Sequence, residues 1–238
     1  LLYKRILLKL SGEALAGSKR FGIDKDTLAA MTASVKGALD LGVQMGVVIG
    51  GGNIFRGIDA SSGANRVNAD YMGMLATVIN ALAFKDALEV HQVEGRVLSA
   101  IDMPQVTEQH TNARALKHLE KGRVVIFAGG TGNPFFTTDT NAALRALEIG
   151  AEVLIKATKV NGIYDRDPMK HRDAKFFPVL DFDTVLNLNL GVMDSTAVSL
   201  CRENNLEVRV INVFDGENLV RLIRGEEVGS VVRARRDV

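Results

Sequence analysis

The sequence has 238 residues, of which 24% are charged, with a formal net charge of +1 and a single cysteine, Cys201. That length can bury a full hydrophobic core and falls within the range of one α/β domain, so a single domain in two lobes is expected, approximately 1–150 and 151–238. The near-neutral balance excludes a dominant nucleic-acid footprint and an acidic solvating tail, and the lone thiol excludes an internal disulfide framework and a cysteine-built metal centre.

Small molecules and further copies of the chain are therefore the expected partners, with no nucleic acid and no membrane, and the cytoplasm is the expected compartment. The opening L-L-Y-K-R-I-L-L-K-L is apolar but interrupted by Lys4, Arg5 and Lys9, so it reads as a strand rather than a signal-peptide core. No apolar run approaches membrane-spanning length. Leu1 in place of methionine raises the expectation of a short preceding leader, which stays outside the fold argument.

In chain order, strands are expected at Tyr3 to Leu10, Gln44 to Ile49, Arg96 to Ser99, Arg123 to Phe127, Glu152 to Ala157 and Glu207 to Asn212, with Ser230 to Arg233 as an edge strand. Most are continuous apolar runs, as in strands covered on both faces. Helices are expected at Lys25 to Leu41, with Asp24 as N-cap and Gly42 past its end. Further helices are expected at Ala69 to Leu88, Ala113 to Lys121, Thr140 to Ile149, Thr184 to Leu190, Ser195 to Asn204 and Asn218 to Ile223. Alternation of the two predicts α/β architecture: a three-layer αβα sandwich on a mainly parallel central sheet. Two stretches, Gly57 to Asn68 and Asn161 to Pro178, fit neither element and read as functional or merely solvated connections.

Three strand ends carry small, polar loops: K-L-S-G-E-A (Lys9 to Ala14), G-G-G-N-I-F-R-G (Gly50 to Gly57) and A-G-G-T-G-N-P (Ala128 to Pro134). Ligands of open α/β sheets bind beyond the carboxyl ends of the strands, where helix N-termini present unpaired amides, and glycine lets backbone approach an anion closely. Each cluster alone is also an ordinary strand-to-helix turn. Three at parallel strand ends can converge on one rim. The P-loop pattern is absent, the dinucleotide fingerprint starting at Gly50 has Phe55 where its third glycine belongs, and the protein-kinase catalytic loop is missing.

K-R-I-L-L-K-L-S-G-E-A, G-V-V-I-G-G-G-N-I-F-R-G, D-Y-M-G-M-L-A-T, T-G-N-P-F-F-T-T-D and K-A-T-K-V-N-G-I-Y-D-R-D-P together resemble the bacterial UMP kinases (uridylate kinases) of the amino acid kinase superfamily. The likeness runs from the first strand to the C-terminus. It implies a hexamer of αβα sandwiches that transfers the ATP γ-phosphate to UMP with Mg²⁺, activated by GTP and inhibited by UTP, with UMP handled by the first lobe and ATP by the second.

Residue by residue, the resemblance implies an ATP-phosphate loop of Lys9, Leu10, Ser11 and Gly12, a UMP contact at Gly51, an ATP contact at Gly52 and a phosphate-facing Arg56. It implies that Asp70 meets the uridine nucleoside, that Thr131, Gly132, Asn133, Pro134, Phe135, Phe136, Thr137 and Thr138 form the UMP segment, and that Thr158, Tyr164 and Asp167 line the adenosine pocket. Gly17, Ser18, Lys19, Arg20, Phe21 and Gly22 stand at the GTP-effector loop. Asn161 occupies a position where many relatives carry aspartate.

Phosphoryl transfer asks a protein for alignment and charge neutralisation. The second pKa of a phosphate monoester is about 6, so the UMP oxygen attacks already ionised and no general base is required. Two unit charges at about 4 Å repel by about 4 kcal/mol at an effective dielectric near 20, which cations must offset. Lys9, Arg56 and Lys156 are the candidate cations, Lys9 alternatively being a snorkelling strand-end lysine. Asp139 and Asp194 are candidate organisers of lysines or hydrated Mg²⁺, or else helix N-caps. His91, His110, His118 and His171 show no ligand spacing, and no protein metal ligand is expected; Mg²⁺ would arrive with ATP. Phe135 and Phe136 would form an apolar wall beside the base, with Thr131, Asn133 and Thr138 at its polar edge; the alternative is that both phenylalanines are core. A small-acid kinase of the same superfamily and a non-catalytic nucleotide sensor are the competing functions.

Overall fold

The structure, a computed structural model, describes residues 1–55 and 65–235. Strand β1 (Arg5–Leu10) leads through the short helix α1 (Gly12–Leu15) to α2 (Lys25–Leu39), β2 (Gln44–Ile49) and α3 (Arg66–Val90). Then come β3 (Gly95–Ser99), β4 (Glu108–Gln109), α4 (Asn112–Glu120), β5 (Val124–Ala128), α5 (Thr138–Glu148) and β6 (Val153–Thr158). The C-terminal part contains β7 (Ile163–Tyr164), β8 (Phe176–Phe177), β9 (Val179–Asp181), α6 (Phe182–Asn187), α7 (Ser195–Glu203), β10 (Glu207–Asn212), α8 (Asn218–Arg224) and β11 (Ser230–Arg233).

Among the described residues, nine strands form one sheet in the order β4-β3-β5-β2-β1-β6-β10-β11-β9. Neighbours pair in parallel except β10 with β11, which turns the last two strands against the rest. Strand residues alternate between two apolar layers, as the two-residue side-chain period requires. Ile6, Leu8 and Leu10 of β1 face a cluster with Leu28 and Val35 of α2, Phe84 of α3 and Leu222 of α8. Leu7 faces the opposite cluster, with Leu119 of α4, Ala142 of α5, Val185 of α6 and Cys201 of α7. This is the mainly parallel αβα arrangement expected from the sequence.

Four differences have local causes. Ser230–Arg233 is an interior strand, not an edge, because the three-residue β9 pairs with its free side; so short a run after Pro178 carries no periodicity. Helix α5 starts at Thr138 because the hydroxyl of Thr137 accepts from the amides of Asp139 and Thr140 at 3.1 and 3.2 Å. Helix α3 starts at Arg66 under an Asn65 cap. The connection from Asn161 to Pro178 contains the antiparallel hairpin of β7 and β8 rather than uniform loop.

Candidate active site

The strand register brings two like charges together. Lys9 of β1 and Lys156 of β6 are direct partners in the parallel ladder, so their side chains leave the same face of the sheet from backbones about 4.8 Å apart. Both project away from the α2 and α3 layer, toward the start of α5. Lys9 is only 8% exposed, too deep for a snorkelling side chain.

Two ammonium groups buried side by side require a counter-charge, and Asp139 supplies it from the first turn of α5. Its Oδ1 lies 2.8 Å from Lys9 Nζ, and its Oδ2 accepts a hydrogen bond from Lys156 Nζ at 3.1 Å. Lys156 Nζ also donates to the carbonyl of Val192. Burial raises the Asp139 pKa, but the two ammonium charges outweigh it and hold the carboxyl below its ordinary value. Burial pulls Lys156 down; attraction by Asp139 opposes this and repulsion by Lys9 adds to it, leaving it below the ordinary lysine value.

Asp139 is therefore not the N-cap of its helix, a position taken by Thr137. Asp194 is one: it caps α7 by accepting from Ala197 N at 3.0 Å. It also accepts from the hydroxyls of Thr137 and, at 3.1 Å, Thr140, which ties the N-termini of α5 and α7 together. Asp194 does not hydrogen-bond either ammonium group, but its negative charge favours the protonated form of Lys156.

The glycine loops meet beside this cluster. A Cβ on Gly12 would stand 2.5 Å from the carbonyl oxygen of Gly50 and 2.7 Å from the amide of Gly52, and one on Gly50 would lie 3.1 Å from Gly12 N and 3.6 Å from Thr138 Oγ1. Only glycine permits that approach. Ser11 caps α1 by accepting from Ala14 N at 3.1 Å, and Leu10 takes part through its backbone, its carbonyl accepting from Gly50 N at 3.0 Å. Gly51 and Gly52 face different ways: a Cβ on Gly51 would meet Gly73 O of α3 at 2.7 Å, whereas one on Gly52 would lie 3.6 Å from Glu13 Cγ of α1.

Two cavities flank the cluster. One of about 290 Å³ is lined by Gly51, Gly52, Asp70, Gly130, Phe136 and Thr138, among others. The other, about 350 Å³, includes Lys156, Thr158, Tyr164, Asp167, Gly191 and Val192 in its walls. Lys156 faces the second cavity, and its partner Asp139 directly follows Thr138 in the wall of the first.

Not every expected contact converges. Phe135 and Phe136 are 65% and 53% exposed, so neither is core. Phe136 walls the first cavity; Phe135 adopts φ 71°, a left-handed conformation uncommon for an aromatic residue. Its amide donates to Asp70 Oδ2 at 2.8 Å, and the Arg66 guanidinium, paired with Asp70 at 2.8 Å, lies over its ring at 5.6 Å. Asp70 thus binds the loop itself. Thr131 and Asn133 bond to each other at 3.2 Å and line an adjoining groove of about 650 Å³ between α5 and α7 rather than the first cavity, because the turn, with Gly132 at φ 79°, closes on itself. Pro134 continues this turn. Asp167 accepts from Met169 N at 2.9 Å.

The segment Gly17 to Gly22 is tied to the triple-glycine turn: Gly22 N donates to Asn53 O at 2.8 Å and Asn53 Nδ2 to Gly22 O at 2.9 Å. Within it, Lys19 pairs with Asp24 at 3.4 Å, Phe21 is exposed, and Ser18 and Arg20 lie on the surface. Asn161 accepts from Asn212 Nδ2 at 3.2 Å. Arg56 lies outside the described residues. Among the described residues, no group of three or more His, Cys, Asp or Glu side chains comes together to hold a metal, and no helix is long and apolar enough to cross a membrane.

Sequence reasoning did not single out Thr77 and Asn80, buried polar residues on α3 beside the glycine turns. Their signal was present: two polar residues interrupting the apolar run M-L-A-T-V-I-N-A-L-A-F.

Residues 4–212 match the model of the amino acid kinase family. Among solved structures, UMP kinase from Bacillus anthracis aligns over 99% of this chain and 98% of its own, at 36% identity and a TM-score of 0.94. UMP kinase from Ureaplasma parvum aligns over 97% and 98%, at 35% identity and 0.89, and uridylate kinase from Archaeoglobus fulgidus over 95% and 99%, at 28% identity and 0.73.

Proposed function

The chain belongs to the amino acid kinase family, and on that premise we propose that it is a UMP kinase, transferring the γ-phosphate of ATP to UMP to give UDP and ADP. The observation that carries this reading is the register pair Lys9 and Lys156, bridged by Asp139 between two cavities. Two polyanions meeting end to end need cationic charge where their phosphates touch, and the lysine pair lies between the two places where nucleotides would enter.

The acceptor occupies the cavity of Gly51, Thr138 and Phe136, and the donor that of Thr158, Tyr164 and Asp167. This division assigns approximately 1–150 to acceptor and phosphate binding and 151–238 to the donor. Gly12, Gly52 and the N-terminal end of α5 approach the phosphates, as helix N-termini do. Lys9 and Lys156 offset the repulsion between them, and Asp139 keeps both ammonium groups aimed. The acceptor oxygen attacks as an anion, so no side chain need remove a proton. Mg²⁺ carried by the triphosphate would neutralise developing charge.

The reading extends to Arg56 as a phosphate contact, to activation by GTP through Gly17 to Gly22, to inhibition by UTP, to a homohexamer and to a cytoplasmic enzyme of pyrimidine nucleotide biosynthesis. Similarity to the UMP kinases of Bacillus anthracis and Ureaplasma parvum supports the acceptor. The deciding experiment measures ADP release with ATP and Mg²⁺ against UMP, CMP, dUMP and a set of small acids. Turnover with UMP supports the proposal. Turnover with only a small acid, or binding without turnover, overturns it.

A further inference from the structure

Helix α3 passes behind both glycine turns, and its buried face carries two polar side chains, Thr77 at 6% and Asn80 at 0% exposure. Burying an amide or hydroxyl is unfavourable unless it is hydrogen-bonded. Both residues find partners in the turns. Asn80 Nδ2 donates to the carbonyl of Gly50 and to Asn53 Oδ1, each at 2.7 Å, while Asn80 Oδ1 accepts from Asn53 Nδ2 at 3.0 Å. Asn53 Nδ2 gives its other proton to Gly22 O, so every amide proton of the pair has an acceptor. One helical turn earlier, Thr77 Oγ1 accepts from Gly129 N at 2.9 Å and donates to Met74 O at 2.6 Å.

The two side chains therefore clamp different loops to one rigid rod. Asn80 holds the turn containing Gly51 and Gly52, and Thr77 holds the turn containing Gly130; all three of those glycines line the same cavity. Thr77 is itself part of the cavity wall, with its hydroxyl already engaged by Gly129 N and Met74 O, whereas Asn80 lies behind the wall and acts on a ligand through the backbone it holds.

We propose that Thr77 and Asn80 are positioning residues for phosphoryl transfer, fixing the separation of the Gly50–Gly52 and Gly129–Gly130 turns. The inference rests on the kinase reading given above. Misplacement of a reacting group by about 1 Å can cost about 100-fold in rate, which is why the hydrogen bonds of Thr77 in the cavity wall and Asn80 behind it can govern turnover.

The test compares the wild-type enzyme with Thr77→Val, which keeps the shape and removes the hydroxyl, Thr77→Ser, which restores it, and Asn80→Leu. For each, kcat, both KM values, melting temperature and amide hydrogen exchange are measured. The expected result is a fall in kcat of about 10- to 100-fold for Thr77→Val and Asn80→Leu, larger than any change in KM, with rate recovered in Thr77→Ser and faster exchange at the freed Gly129 amide in Thr77→Val. A lowered melting temperature with kcat and KM unchanged overturns the proposal. If Asn80→Leu does not fold, the Thr77 pair decides. If the wild-type enzyme does not phosphorylate UMP, the kinase reading fails separately. Exchange then decides the positional inference: protection of Gly129 unchanged in Thr77→Val refutes it, and loss confined to that turn supports it.

Discussion

Lys9 and Lys156 stand opposite each other on adjacent parallel strands, and the carboxylate of Asp139 lies within 2.8 Å of the first and 3.1 Å of the second. A pair of cations on neighbouring strands is unfavourable by itself. With a carboxylate between them it becomes a fixed patch of net positive charge at the end of the sheet, suited to phosphate.

The Lys9→Ala variant is expected to fold, since the alkyl stem rather than a core residue is lost, and to retain Asp139 paired with Lys156. Its kcat should fall by about 10² to 10³, the usual effect of removing one well-aimed charge. Steady-state ADP release together with circular dichroism checks this; near-normal turnover in a folded variant would remove Lys9 from the mechanism.

Asp139 gives a pH signature. Its carboxyl titrates below the ordinary 3.8, so the native state binds the proton more weakly than the unfolded chain. The resulting stabilisation is fully present above pH 3.8 and is lost as the pH falls through the native value. Urea midpoints from pH 7 downward should therefore show wild type and Asp139→Asn converging below pH 3.8. A gap independent of pH over that range would contradict the ion-pair account.

Gly51→Ala places a methyl group 2.7 Å from Gly73 O and 2.8 Å from Ala76 Cβ. The first neighbour is helix backbone, which cannot rotate away. Destabilisation of about 1 to 3 kcal/mol is expected from such overpacking, with a raised KM for UMP because the turn walls the acceptor cavity. Thermal unfolding and acceptor titration measure the two effects.

Phe136→Ala tests the aromatic wall. The ring is half exposed, so its loss should change stability by no more than about 0.5 kcal/mol, as for an ordinary surface substitution. A stacked base contributes about 1 to 3 kcal/mol, which predicts at least a fivefold rise in KM for UMP and no comparable change for ATP. Equal KM values in the variant and wild type would exclude stacking at this residue.

The apolar runs and glycine breaks in the sequence were enough to specify the layers, most of the strands and the strand-end loops, because side-chain period and backbone freedom are local properties. The cations and carboxylates were legible as residue types for the same reason: charge at a strand end or helix start is visible in one dimension. The pairing of Lys9 with Lys156 was not, since register between strands separated by more than a hundred residues is set by which faces pack. Nor were the roles of Asp70, Thr77 and Asn80, whose partners are backbone groups of distant turns. Local sequence determined what each segment could be; tertiary packing decided which charges share a face and which buried donors meet which carbonyls, because those energies exist only once the layers close.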